Sequence, residues 1–120
     1  MLYRKLGRTG LEVSVLSLGS GGAKQLGQTD GLTQDQQTAI VRRALDLGVN
    51  SIDTSAGYGD SESILGRALK DVPRDTYVMG TKWYADVDEG ASDPQLLLDG
   101  VEESLRKLGT DYIDIMYFHG

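Results

Sequence analysis

The residue types best suited to chemistry in this sequence are one aspartate, one tyrosine, one lysine and the only histidine. They are Asp53, Tyr58, Lys82 and His119, each at or just after the end of an apolar run. A phenol can donate a proton to an oxygen that is becoming an alkoxide, and a neighbouring ammonium makes it a better acid. A carboxylate holds that ammonium in place, and an imidazole can orient a carbonyl by hydrogen bonding. The four therefore suit the protonation of a carbonyl oxygen while a cofactor delivers hydride to its carbon, because no side chain supplies hydride.

Each of these residues also has an ordinary structural interpretation. Asp53 could cap the loop that follows it, and Tyr58, between two glycines, could be a surface aromatic. Lys82 could be a strand-end charge, and His119 could be a structural or solvated histidine. Four different titratable types at one edge of a fold are less expected by accident than any one of them alone. The combination favours a reaction site.

The first twenty-two residues predict a hairpin followed by a strand. Segments Tyr3–Leu6 and Leu11–Val13 flank the turn at Gly7–Gly10, which is typical of a hairpin. The apolar run Val13–Leu18 then predicts a buried strand that opens into a permissive loop at Gly19–Gly22.

The rest of the chain alternates helix and strand patterns. Segment Ala23–Leu32 reads as a polar loop. The predicted strands are Val49–Thr54, Thr76–Thr81 and Tyr112–Phe118. The predicted helices run from the capping box of Thr33 and Gln36 to Gly48, along Ile64–Leu69 to Pro73, and from the Asp93-Pro94 cap to Gly109.

Strands that alternate with helices predict parallel pairing with right-handed crossovers. The carboxyl ends of parallel strands share one edge, and catalytic groups of barrels collect there. Four strands and three helices do not close a barrel, since a complete eightfold barrel needs about 250 residues. We therefore predict an α/β fold, the N-terminal half of a (β/α)8 TIM barrel preceded by a β-hairpin. Residues 1–120 form that unit, without the C-terminal half.

Composition excludes several classes of function. The formal net charge is −6, which argues against nucleic acid or an anionic membrane as a partner. There are no cysteines, so disulfides, thiolate metal sites and cysteine nucleophiles are excluded, and a single histidine rules out a multi-histidine metal site. No apolar run is long enough to span a membrane, and residues 1–5 lack a signal core, so we expect a cytoplasmic protein without a metal.

The sequence resembles the N-terminal half of the aldo-keto reductases along its whole length. The family pattern I-D-T-A-x-x-Y-G corresponds to Ile52–Gly59, and S-E-x-x-L-G-x-A-L corresponds to Ser61–Leu69. Thr81-Lys82 matches the family's strand-three lysine, and Tyr117–His119 matches its strand-four histidine. The segment Arg4–Leu11 is similar to the family's N-terminal hairpin.

The resemblance implies an oxidoreductase of the EC 1.1.1 type that uses NADP(H) to reduce a small aldehyde or ketone. It makes Tyr58 the proton donor and Lys82 the cation that increases its acidity. Asp53 would pair with Lys82 and lie near the cofactor ribose, and His119 would orient the substrate carbonyl beside the nicotinamide. Ser20 and Gly21 would belong to backbone that passes near the cofactor.

The resemblance also shows what these 120 residues lack. In the family, strands five to eight hold much of the cofactor, so we expect the chain alone to be a fragment with weak NADP(H) binding and low turnover. An alternative function is a non-catalytic subunit with the reductase fold, such as a channel-associated protein. A further possibility is a half-barrel that associates with a second copy or with a separate C-terminal half.

Overall fold

Strands and helices alternate to form a parallel sheet with helices packed against it, preceded by a small hairpin. The computed structural model describes residues 1–84 and 94–119. The strands are β1 (Tyr3–Lys5), β2 (Glu12–Ser14), β3 (Leu18–Gly19), β4 (Ser51–Asp53), β5 (Val78–Tyr84) and β6 (Ile115–His119). The helices are α1 (Gln34–Asp46), α2 (Ser61–Ala68) and α3 (Pro94–Leu108), with 3-10 segments at Gln25–Asp30 and Arg74–Thr76.

The main sheet has its strands in the same order in space as in the chain. β3, β4, β5 and β6 are all parallel neighbours, and β1 pairs with β2 antiparallel. In this register Gly19 lies beside Asp53, and Asp53 lies beside Gly80. The prediction of parallel pairing with helical crossovers is confirmed. It brings the carboxyl ends of β3 to β6 to one edge.

Helix boundaries follow the signals in the sequence. Thr33 and Gln36 form the expected capping box, with the Gln36 backbone N–H donating to Thr33 Oγ1 and the Thr33 N–H donating to Gln36 Oε1. Gly48 and Gly109 follow α1 and α3 in the left-handed conformation, at φ of 90° and 64°. The predicted Asp93 cap lies outside the described residues. Helices α1 and α3 therefore end at glycines, which adopt a positive φ without steric cost.

The core lies between the sheet and its helices. Its buried members include Val41 of α1, Ile52 of β4, Leu65 of α2, Met79 of β5 and Leu108 of α3. Helix α2 approaches the end of α3 so closely at Gly66 that a Cβ there would overlap the Lys107 carbonyl oxygen and lie 3.1 Å from Leu108 Cα. A glycine is therefore required where these two helices meet.

We expect Gly66→Ala to lower the free energy of unfolding by about 2 kcal/mol, because the added methyl overpacks a backbone contact that cannot yield without moving a helix. The higher helix propensity of alanine offsets only part of this loss. Chemical denaturation of the chain measures the difference. Gly19→Ala is the control, because its Cβ would meet open space. Equal stabilities of the two variants would contradict the packing argument.

The predicted buried strand Val13–Leu18 is wrong as a single element. β2 ends at Ser14, and β3 begins only at Leu18. Between them Val15 and Leu16 are 52% and 63% exposed. The Ser14 hydroxyl donates to the Leu16 carbonyl at 2.6 Å, which bends the chain away from the hairpin. An apolar run cannot reveal such a bend, because the hydrogen bond that makes it comes from a serine within the run.

Further boundaries differ from the predictions, among them the starts of β6, at Ile115 instead of Tyr112, and of α2, at Ser61 instead of Ile64. β5 begins at Val78, after the 3-10 turn Arg74–Thr76, and continues to Tyr84, so Lys82 lies within the strand. The segment predicted as a loop at Ala23–Leu32 contains the 3-10 segment Gln25–Asp30, where Leu26 is buried. The last two differences arise from tertiary contacts: β5 is extended by pairing with β6, and Leu26 enters the core.

A largely buried ion pair joins the segments just before β5 and β6. Arg74 Nη2 lies 2.7 Å from Asp114 Oδ2, and the two side chains are 17% and 11% exposed. The guanidinium also stacks over the ring of Tyr112, 3.9 Å from its centroid. Asp114 Oδ2 accepts the Met79 backbone N–H at 2.8 Å. Burial raises the pKa of Tyr77, which the same guanidinium also contacts. This cluster lies at the end of the sheet opposite to the predicted reaction site.

Candidate active site

An ion pair between adjacent strands anchors the site. Asp53 is the last residue of β4, and Lys82 lies in β5, two residues beyond the position paired with Asp53. Lys82 Nζ lies 2.6 Å from Asp53 Oδ2 and also donates to the Thr54 carbonyl at 2.8 Å. The lysine side chain is 16% exposed and the aspartate 41%. Two oxygens thus hold the ammonium in one place at the carboxyl edge of the sheet.

Tyr58 lies against this ammonium. It is half-buried on the loop between β4 and α2, and Lys82 Nζ lies 4.8 Å from its ring centroid. The ring packs on Gly21, where a Cβ would come within 2.6 Å of Tyr58 Cε2. Glycine at position 21 therefore lets the tyrosine ring reach the lysine. The structure brings Tyr58, Lys82 and Asp53 together.

His119 completes the group from the end of β6. Its ring meets that of Tyr58 edge-on with 5.6 Å between centroids, and that of Tyr84 in the same way at 5.9 Å. Ser55 Oγ lies 3.0 Å from His119 Nδ1. A phenol, an ammonium, a carboxylate and an imidazole thus converge from β4, β5, β6 and one loop. Within residues 1–84 and 94–119, no group of three or more acidic or histidine side chains is arranged to hold a metal ion.

Ser20, which was also predicted to lie near the cofactor, holds together the segments that carry this site. It is fully buried, and its hydroxyl donates to Thr54 Oγ1 at 2.7 Å. Its backbone N–H donates to the Asp53 carbonyl, and its own carbonyl accepts from Ser61 Oγ at 2.9 Å. Ser20 therefore fixes the end of β4 and the start of α2 relative to β3. A contact of Ser20 or Gly21 with a cofactor stays a prediction.

Sequence reasoning missed Gln28, whose side chain ties two loops together. Its Nε2 lies within hydrogen-bond distance of the carbonyls of Tyr58, at 3.1 Å, and Gln25, at 2.7 Å, and of Ser61 Oγ, at 2.9 Å. Its Oε1 accepts the Asp60 backbone N–H at 2.8 Å. The 3-10 segment after β3 therefore holds the Tyr58 loop on both sides of the tyrosine.

The backbone beside Gln28 is strained. Gln25 and Leu26 have φ of 43° and 58°, in the left-handed region that non-glycine residues rarely adopt. Such residues cost about 1–3 kcal/mol each and persist where surrounding contacts force them. Here the contacts are the burial of Leu26 in the core and the hydrogen bonds of Gln28. The sequence indicates only a polar segment, Ala23–Leu32, after the glycine loop, and this pattern does not predict the contacts of Leu26 and Gln28.

We expect Gln28→Ala to free the loop that carries Tyr58. Because the Asp60 N–H loses its acceptor, its hydrogen exchange should become roughly tenfold faster, which corresponds to about 1.4 kcal/mol of local stability. Amide exchange followed by NMR measures this. Gln34→Ala is the control, since that side chain binds the Ile64 carbonyl in the helices instead. Unchanged exchange at Asp60 would show that Gln28 does not hold the loop.

Comparison with known proteins agrees with this architecture. The family model described as "Aldo/keto reductase family" matches residues 17–120. L-galactose dehydrogenase of Arabidopsis thaliana is 39% identical to 97% of this chain, over 37% of its own length. A Schizosaccharomyces pombe protein named as a candidate voltage-gated potassium channel subunit beta is 34% identical to 98% of this chain, over 36% of its own length. The chain thus spans little more than a third of these curated relatives.

Solved structures resemble the described fold closely. The aldo-keto reductase AKR11C1 from Bacillus halodurans, in its holo form, aligns with 100% of this chain and 40% of its own, with a TM-score of 0.82 and 33% identity. An aldo-keto reductase from Klebsiella pneumoniae in complex with NADPH aligns with 92% of this chain and 36% of its own, with a TM-score of 0.74 and 28% identity. The chain corresponds to the N-terminal part of such proteins.

Proposed function

Because the chain belongs to the aldo/keto reductase family, we propose that it carries the catalytic residues of an NADP(H)-dependent reductase of small aldehydes or ketones. The observation that carries this proposal is that the ring of Tyr58 contacts both His119 and the ammonium of Lys82, which is paired with Asp53. The expectation of a cytoplasmic enzyme with a small carbonyl substrate belongs to the same proposal. Among the described residues, no helix is both long and apolar enough to cross a membrane.

The residues present fit a nicotinamide cofactor. In the described part of the chain, Asp53 Oδ2 is engaged by Lys82 while Oδ1 has no hydrogen bond, and the side chain is 41% exposed. A partly exposed carboxylate with a free oxygen can accept a hydrogen bond from a ribose hydroxyl. A phenol beside an ammonium suits reduction by hydride, which needs a proton donor but no nucleophile. When bound, NADPH would supply the hydride.

Side chains of this chain would orient and protonate the carbonyl oxygen of the substrate. His119 would orient that oxygen by hydrogen bonding, and the Tyr58 hydroxyl would donate its proton as negative charge develops there. The tyrosinate left behind would be stabilised by the Lys82 ammonium, which lies against the same ring. Asp53 would keep the ammonium in that position through the ion pair.

The test uses a completed barrel, in which this chain replaces the matching N-terminal part of the Bacillus halodurans reductase. NADPH consumption is followed with a panel of aldehydes and ketones. We expect reduction of at least one class of carbonyl, and much weaker NADPH binding by the 120 residues alone. A folded, NADPH-binding barrel that reduces none of them would overturn the proposal.

A second candidate function is a non-catalytic subunit that keeps the reductase fold. The 34% identity to a protein named as a candidate voltage-gated potassium channel subunit beta supports this second function. The two functions differ in their dependence on Tyr58, because a binding surface does not need a proton donor. Loss of the tyrosine hydroxyl should abolish reduction and leave partner binding intact.

The open edge of the sheet supports association with further strands. β6 is the last strand of the described sheet, and its Phe118 is 75% exposed. An unpaired strand edge with exposed apolar side chains is a template for pairing. A C-terminal half of a barrel or a second copy of this chain would satisfy this edge, and the mass in solution distinguishes the two.

A further inference from the structure

The side chain of Ser55 links the end of β4 to His119 at the end of β6. Ser55 is fully buried, and its Oγ lies 3.0 Å from His119 Nδ1. The family pattern that Ile52–Gly59 resembles has alanine at this position, whereas this chain has serine. A hydroxyl at position 55 forms hydrogen bonds that a methyl group could not form.

The hydrogen bonds around Ser55 Oγ determine where its single proton goes. Gly57 donates its backbone N–H to Oγ at 3.1 Å, so the hydroxyl already accepts once. Two acceptors are available for the hydroxyl proton: His119 Nδ1 at 3.0 Å and the Lys82 carbonyl at 3.5 Å. The longer contact lies at the limit of a hydrogen bond. Donation to Nδ1 is thus the favoured arrangement.

The opposite tautomer fits poorly. With a proton on Nδ1, His119 would donate to Ser55 Oγ, and the hydroxyl could then donate only to the Lys82 carbonyl at 3.5 Å. The Ser55 hydroxyl would then donate over 3.5 Å instead of 3.0 Å. Because Ser55 is buried, a poorly satisfied hydroxyl at this position is costly. The neutral ring is therefore expected to accept at Nδ1 and to carry its proton on Nε2.

We propose that Ser55 is a positioning residue that holds neutral His119 in the Nε2–H tautomer. The ring then presents a hydrogen-bond donor at its remaining nitrogen. A carbonyl oxygen accepts hydrogen bonds and donates none, so this tautomer matches the oxygen that the reaction protonates. The consequence for substrate binding rests on the proposed function, whereas the tautomer itself does not.

The test is proton–nitrogen correlation NMR of the nitrogen-labelled 120-residue chain, with no cofactor or substrate added. His119 is the only histidine, so one pair of ring nitrogens reports on it. At a pH where the ring is neutral, we expect the Nε2–H pattern alone. In Ser55→Ala both nitrogen signals should move towards each other as the tautomers mix. Ser55→Thr, which retains the hydroxyl, should preserve the wild-type pattern.

Ser14→Ala is the matched control, because Ser14 is also buried and hydrogen-bonded but lies in the hairpin, where it contacts Leu16 and Asn50. It should leave the His119 signals unchanged. A proton on Nδ1 in the wild type, or identical His119 signals in the wild type and Ser55→Ala, would overturn the proposal. Carbonyl reduction by the completed barrel is measured separately, so failure of the tautomer and failure of the proposed function are distinguishable.

Discussion

Tyr58→Phe is expected to lower kcat for carbonyl reduction by a factor of about 10²–10⁴ in the completed barrel, the usual contribution of a positioned proton donor. The ring would remain between Gly21, Lys82 and His119, because those contacts involve the aromatic face and edge. Only the transferable proton is lost. The dissociation constant of NADPH should therefore change little, and the loss should appear in kcat.

The matched control is Tyr3→Phe. Tyr3 also loses a hydroxyl that donates a hydrogen bond, to the Gly48 carbonyl at 2.7 Å, but in the hairpin at the other end of the sheet. Turnover of this control should stay within about twofold of wild type, since surface substitutions away from a site have small effects. A Tyr58→Phe enzyme as active as the control would remove Tyr58 from the mechanism.

Arg74→Ala is expected to lower the free energy of unfolding by about 3–5 kcal/mol, the usual cost of removing one partner of a buried ion pair. Asp114 would be left as a largely buried carboxylate whose remaining described partner is the Met79 N–H. The guanidinium also spans the rings of Tyr77 and Tyr112, so its loss removes packing as well as charge. Urea denaturation of wild type and variant gives the difference.

Arg8→Ala is the control for removing an arginine side chain that has no buried partner among the described residues, because Arg8 is exposed in the hairpin turn. It should change stability by less than about 0.5 kcal/mol. The double variant Arg74→Ala/Asp114→Ala tests the mechanism, since removing both charges should be less damaging than the sum of the single changes. Additive losses would show that the other contacts of Arg74, and not the ion pair, hold these strand starts.

The sequence was sufficient to predict the parts of the fold that depend on local pattern. Thr33 and Gln36 marked the start of α1, and Gly48 and Gly109 marked helix ends, because capping and left-handed geometry restrict the residue types. The alternation of strands and helices predicted the parallel sheet, and parallel strands place their carboxyl ends together. The closeness of Tyr58 and His119 could therefore be predicted from the sequence alone.

The parts that escaped prediction depend on contacts between distant segments. The bend at Val15 and Leu16 follows from the hydrogen bond of Ser14. The role of Gln28 required knowing that the Tyr58 carbonyl and the Asp60 N–H would lie on either side of its amide. Polar side chains with many possible partners carry little information about which partner they meet. The closeness of Tyr58 to Lys82 and His119 was predictable from the sequence, whereas the residues that hold Tyr58 in place were not.

The matching order of β3 to β6 in space and along the chain bears on how the protein is made. On the ribosome β4, β5 and β6 each find one neighbouring strand already synthesised, so each of them can pair as soon as it emerges. Asp53, Tyr58, Lys82 and His119 emerge in the order of the strands that position them. All four residues can therefore meet as soon as β6 leaves the exit tunnel, and the ion pair of Asp53 and Lys82 can form before His119 emerges.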